Sequence, residues 1–88
     1  MAWTIEYSAK ALKELKKIDK KAALTIVDYL DDIAKEDDPR MKGKALRGDK
    51  RQYWRYRVGN YRVLCSIEDD ELLILATHLG HRKNVYLT

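Results

Sequence analysis

An α+β fold of order β-α-α-β-β-β, with a helical hairpin packed on a small, mainly antiparallel four-stranded sheet, follows from three features of the sequence. Apolar residues recur at helical spacing between Ser8 and Lys35. The second half alternates with period two or runs continuously apolar. Between two alternating runs sits Gly59-Asn60, a pair suited to a tight hairpin turn. The 88 residues, 45% of them apolar, suffice for one compact core and not two, so residues 1–88 read as one domain.

The elements follow in order. Trp3, Ile5 and Tyr7 alternate with Thr4 and Glu6, the pattern of a strand with one buried face. Ser8 then caps a helix to about Lys17, with Leu12 and Leu15 as its expected apolar stripe. Asp19 caps a second helix to about Lys35, in which Ala23, Ile26, Val27, Leu30, Ile33 and Ala34 form the buried stripe. Glu36-Asp37-Asp38-Pro39 stops it, because the residue before a proline avoids the helical region. Arg40 to Lys50 reads as a loop. Gln52 to Val58 and Tyr61 to Ile67 are strands of a hairpin, Glu68 to Glu71 turn the chain again, and Leu72 to Leu79 is apolar enough for a central strand.

Charge narrows the partners. The net charge is +4, and between Leu46 and Leu64 six basic residues (Arg47, Lys50, Arg51, Arg55, Arg57, Arg62) face Asp49 alone, which points to a polyanion or an acidic protein. Cys65 is the only cysteine, so an internal disulfide and a thiolate metal cage are both excluded and a core role is expected for it. No apolar run reaches the roughly 20 residues of a membrane span, and the start lacks the apolar stretch of a signal peptide. The expected location is therefore the cytoplasm, with no membrane partner.

Hairpin register sorts the side chains. With a two-residue loop at Gly59-Asn60, Val58 faces Tyr61, Arg57 faces Arg62, Tyr56 faces Val63, Arg55 faces Leu64 and Trp54 faces Cys65. Trp54, Tyr56, Val58, Tyr61, Val63 and Cys65 then share the face that packs on the helices, and Tyr53, Arg55, Arg57 and Arg62 share the other. Like charges placed directly opposite are destabilising, so folding alone gives no reason for Arg57 beside Arg62, whereas an anion between them would. Guanidinium forks match phosphate, and Tyr53 can stack on a base. The plainer alternative is a solvated face whose arginines pair with loop carboxylates.

The same counting, with Glu68 to Glu71 as the turn, pairs Arg62 with Thr77, turns His78 toward the core and delivers Gly80-His81-Arg82 to the rim of the arginine face, followed by Tyr86. His81 and Tyr86 are the candidates for proton transfer in this terminus, although a lone histidine is more often structural or merely exposed. Lys10, Lys13 and Lys17 recur every three or four residues as a basic ridge, either an ordinary solvated face or a track for RNA backbone.

Several segments together resemble the RelE/ParE superfamily of type II toxins, most closely its RelE branch. They are Ile5-Glu6-Tyr7-Ser8-Ala9-Lys10-Ala11-Leu12-Lys13-Glu14-Leu15, Leu46-Arg47-Gly48, Tyr53-Trp54-Arg55-Tyr56-Arg57-Val58-Gly59-Asn60-Tyr61-Arg62-Val63 and Gly80-His81-Arg82-Lys83-Asn84-Val85-Tyr86. The resemblance implies a RelE-like fold and a toxin that enters the 70S ribosome and cuts messenger RNA in the A site. It would be held inactive by a cognate antitoxin, and the complex would bind operator DNA through that antitoxin. Cleavage in such enzymes proceeds by attack of the ribose 2′-hydroxyl on phosphorus, without metal or cofactor.

The resemblance assigns phosphate stabilisation to Arg62 and Arg82 and substrate orientation to Tyr86. Arg55 and Arg57 stand where some members carry lysines that move protons; an arginine holds charge well but exchanges protons poorly, so here these two are expected to clamp phosphate, with Arg47 beside them as a further RNA contact. Proton transfer then falls to His81 or Tyr86. Only Leu87 and Thr88 follow Tyr86, so the C-terminal helix of relatives is expected to be missing. The ParE branch, which inhibits DNA gyrase without a nuclease set, is the alternative function.

Overall fold

In the computed structural model, residues 3–45 and 53–81 are described. Strand β1 (Thr4–Tyr7) leads into helix α1 (Ala9–Lys17), which leads into α2 (Lys20–Lys35). A 3-10 turn (Pro39–Met41) precedes a short strand β2 (Lys44–Ala45). Next come β3 (Tyr53–Val58), β4 (Tyr61–Glu68), a second 3-10 turn (Asp69–Glu71) and β5 (Leu73–His81). The sheet runs β1-β5-β4-β3-β2, with β1 parallel to β5 and every other pair antiparallel. The α+β class holds with one strand more than expected, because part of the stretch read as a loop, Lys44–Ala45, pairs with β3. Two residues are too few to show alternation in sequence.

Both helix starts form where the side chains allow it. The Ser8 hydroxyl accepts from the Ala11 N–H and donates to the Thr77 carbonyl, so one residue caps α1 and ties it to β5. The Asp19 carboxylate accepts from the Ala22 N–H at the start of α2. In α2 the stripe buries Ile26, Leu30, Ile33 and Ala34 as expected. In α1 it falls elsewhere: Leu12 is 45% exposed and Ala11 fully buried, with Leu15 packed against the core. Ala11 brings α1 close to the sheet, which a larger residue at that position would prevent.

The helix-facing side of the sheet supplies Tyr56, Val58, Val63, Cys65, Ile74, Ala76 and Leu79 to one buried cluster with Ala11, Ile26, Leu30 and Ile33, while Trp54 and Tyr61 pack at its margin. Cys65 is fully buried within it, and burial pushes its thiol pKa up to about 12. Tyr56 keeps its hydroxyl satisfied by donating to the Pro39 carbonyl at 2.5 Å. The Trp54 indole N–H donates to the Lys42 carbonyl at 2.5 Å.

Hairpin β3–β4 has the expected register from Trp54–Cys65 to Val58–Tyr61. Positive φ occurs at Gly59 (φ 59°) and not at Asn60, the signature of a type II′ turn. The next hairpin departs from expectation: Arg62 pairs with Gly80 rather than Thr77. Two causes add up. The strand continues to Glu68 while Leu72 joins the turn in a left-handed conformation (φ 50°), and a bulge opposite Leu64/Cys65 inserts one extra residue. Consequently His78 pairs with Leu64, on the side that alternation sets opposite Val63 and Cys65, and it is not part of the core cluster.

Candidate nucleic-acid interface

Residues paired across neighbouring strands share a face of the sheet, and this alone builds a cationic row. Lys44 on β2 pairs with Arg55 on β3, Arg57 lies two residues further along the same strand, and Arg57 pairs with Arg62 on β4. Four cations on three strands therefore face away from the helices. Lys44 escaped the sequence reading because only the β2 pairing places it there.

The row is electrostatically unsatisfied. The Arg55 guanidinium is held below its ordinary pKa first by burial and then by the positive fields of Arg62 and Arg57. The Nε of Arg62 is buried with no hydrogen-bond partner, a costly arrangement for a charged donor. Among the described residues, no carboxylate pairs with Arg55, Arg57 or Arg62; the ion pair formed there joins Arg40 to Asp69 at 2.8 Å. What such a row accepts is an anion with several acceptor oxygens, which would satisfy the Arg62 Nε and relieve the repulsion at once.

The Arg40–Asp69 pair is structural. Both guanidinium nitrogens donate to the Asp69 carboxylate at 2.8 Å, which holds that carboxyl below its usual pKa. The same guanidinium lies 6.0 Å from the centre of the Trp54 ring. Together with the Tyr56–Pro39 and Trp54–Lys42 hydrogen bonds it anchors residues 39–43 on the helix-facing side of the sheet.

The other residues singled out in the sequence fall in different places. Tyr53 opens β3 opposite Ser66, half-buried and on the arginine face. Lys10, Lys13 and Lys17 are all exposed on α1. His81 ends β5 paired with Tyr61, their rings edge-on with centroids 6.0 Å apart; alternation puts that pair on the side opposite Arg62. His78 is half-buried, its Nδ1 3.1 Å from the Thr77 hydroxyl. Burial, then the charge of Lys10, lowers its pKa, and Glu14 partly opposes them. Arg47, Arg82 and Tyr86 lie outside the described residues.

With this geometry established, comparison with known proteins gives a consistent picture. A sequence profile described as "ParE toxin of type II toxin-antitoxin system, parDE" matches residues 5–86. The chain belongs to this toxin family. It is 26% identical to Toxin RelG of Mycobacterium tuberculosis over 87 residues, covering 98% of each protein. Among solved structures, the fold resembles the toxin-antitoxin complex RelBE2 of M. tuberculosis with a TM-score of 0.83, at 24% identity and coverage of 96% of this chain and 95% of the other. It also resembles the isolated E. coli RelE toxin with a TM-score of 0.76, at 20% identity over 91% of this chain and 84% of that one. The toxin therefore belongs to the RelE/ParE superfamily and has the RelE-like fold. Among the described residues, no helix is long and apolar enough to cross a membrane.

Proposed function

We propose that this type II toxin is a ribosome-dependent endoribonuclease that cuts messenger RNA in the A site by attack of the 2′-hydroxyl on the adjacent phosphorus. The observation that carries this reading is the row Lys44, Arg55, Arg57 and Arg62, in which a buried guanidinium nitrogen lacks a partner and no described carboxylate neutralises the arginines. A gyrase inhibitor has no chemical need for such a row, whereas a phosphate passing through a more negative transition state does.

In this reading Arg62, together with Arg82 of the terminal segment, stabilises the charge that builds on phosphorus. Arg55, Arg57 and Arg47 hold the flanking phosphates, Tyr53 stacks on a base, and Lys10, Lys13 and Lys17 follow ribosomal RNA. Tyr86 orients the substrate, and proton transfer falls to Tyr86 or His81. Because His81 sits against Tyr61 rather than Arg62, Tyr86 is the stronger choice. The partner in the resting state is a cognate antitoxin, as in the RelBE complexes that share the fold, and operator DNA is reached through it.

The test is to add the purified toxin to programmed ribosomes and map messenger ends by primer extension. Cuts within the A-site codon, appearing only when ribosomes are present, are expected. Intact messenger together with inhibited gyrase supercoiling would replace this reading with the ParE-like one.

A further inference from the structure

The β4–β5 bulge decides on which side of the sheet one histidine falls. Carried on from the Cys65–Ala76 pair without interruption, the register would set Leu64 opposite Thr77 and Val63 opposite His78, placing the imidazole on the core side. The bulge adds one residue, Thr77, and moves His78 opposite Leu64 instead. Re-aiming a side chain is what a bulge does. Leu64 also pairs with Arg55, so Arg55, Leu64 and His78 form one row across β3, β4 and β5 on the side away from the helices. The next row is Arg57, Arg62 and Gly80.

Gly80 has no side chain, so β5 fills nothing beside Arg62 in its own row. His78, two residues back, is the diagonal neighbour of Arg62, and such neighbours have Cα atoms roughly 7–8 Å apart. That separation suits an imidazole and a guanidinium acting on one phosphodiester over Gly80 from two sides.

Hydrogen bonding fixes which ring nitrogen is free. The Thr77 hydroxyl lies 3.1 Å from the Leu64 carbonyl oxygen, which can only accept, so its proton is committed there. The same hydroxyl lies 3.1 Å from His78 Nδ1 and must therefore accept from it. The neutral imidazole thus carries its proton on Nδ1 and a lone pair on Nε2. Among the described residues no hydrogen bond occupies Nε2. The charged groups around the ring are Lys10 and Glu14 of α1, with Arg62 of β4 on the diagonal. Burial and Lys10 outweigh Glu14, so the ring is neutral at pH 7 and able to take up a proton.

We infer that His78 is the proton acceptor of the proposed cleavage, its Nε2 removing the proton of the ribose 2′-hydroxyl. The oxygen so freed bonds to the adjacent phosphorus while Arg62 holds the charge that builds there. The P–O5′ bond breaks, and the 5′-oxygen keeps the electron pair and takes a proton from Tyr86. The imidazolium then returns its proton to the Tyr86 phenolate through solvent, so the only covalent change is in the RNA. This assignment rests on the nuclease reading and supplies what the arginine row lacks, since arginines hold charge but exchange protons poorly.

Two measurements test it. In the full chain with ¹⁵N-labelled histidine, long-range ¹H–¹⁵N spectra near pH 7.5 should show His78 protonated on Nδ1 and bare on Nε2; a proton on Nε2 would overturn the assignment without any ribosome present. On programmed ribosomes under single-turnover conditions, the cleavage rate of the parent should level off above the His78 pKa that the same spectra report and fall about tenfold per pH unit below it. His78→Asn, whose amide can still donate to Thr77, should cut about 10²–10⁴-fold more slowly and lose that dependence, with an unchanged circular dichroism spectrum. Arg62→Ala should be slower and yet keep the dependence. A parent that cuts while His78→Asn cuts at a similar rate with the same pH dependence would overturn the assignment and leave the nuclease reading standing. A parent that leaves messenger intact would remove both.

Discussion

The two sides of the β3–β4 hairpin share one backbone and follow opposite rules. On the helix-facing side Tyr56, Val63 and Cys65 are fully buried and the Tyr56 hydroxyl is satisfied. On the other side Arg57 opposes Arg62, Arg55 is burdened by both, and the Arg62 Nε lacks a partner. The first side lowers the free energy of the fold; the second raises it. Unrelieved repulsion on a strand pair whose opposite side packs well is what makes the arginine side, and not the core side, the candidate site.

Substitutions can break or sharpen this contrast. The largest effect is expected on the buried side, where Tyr56→Ala should cost about 4 kcal/mol through the cavity and the lost hydrogen bond. That is most of the stability of a domain this small, and urea denaturation followed by circular dichroism measures it. Next, Arg62→Ala should lower ribosome-dependent cleavage by about 10²–10³-fold, the usual loss for one preorganised donor. Its denaturation midpoint should stay near the parent's, since the Nε has no partner to lose. A large loss of stability in that variant would show that the arginine row is structural and remove the contrast.

A smaller effect concerns pH. The folded pKa of His78 lies below its ordinary 6.5, chiefly through burial and then Lys10, with Glu14 opposing. The unfolded state therefore binds the proton more readily, so the contribution is complete above about pH 6.5 and is lost as the pH falls toward the folded value. His78→Gln should lose less stability than the parent between pH 7.5 and pH 5.5, and identical slopes in urea titrations would refute the assignment. The smallest change belongs to Arg57→Ala, which should leave the melting temperature unchanged or raise it slightly, because a like-charge pair is worth only some tenths of a kcal/mol.

What the sequence disclosed depended on how far each inference had to reach. The arginine face was legible because it rested on one tight turn, Gly59-Asn60, and on alternation over six residues. Both helix caps were legible because Ser8 and Asp19 act within three residues of themselves. The β4–β5 register was not, since it required knowing that Leu72 adopts a left-handed turn conformation and that a bulge intervenes, neither of which has a glycine to announce it. Lys44 was hidden for a related reason: a strand of two residues is defined by its neighbour, not by its own pattern. Leu12 and Ala11 exchanged roles because helix spacing alone allows either stripe, and the close approach of α1 to the sheet decides between them.

The lone thiol of Cys65 gives the molecule a built-in stopwatch. It is fully buried and, with a pKa pushed up to about 12, almost never ionised at neutral pH. An alkylating reagent can therefore reach it as a thiolate only when the hairpin and the helices part. With no second cysteine in the chain to confuse the signal, the labelling rate counts openings of the whole core under native conditions, whether or not anything occupies the arginine side.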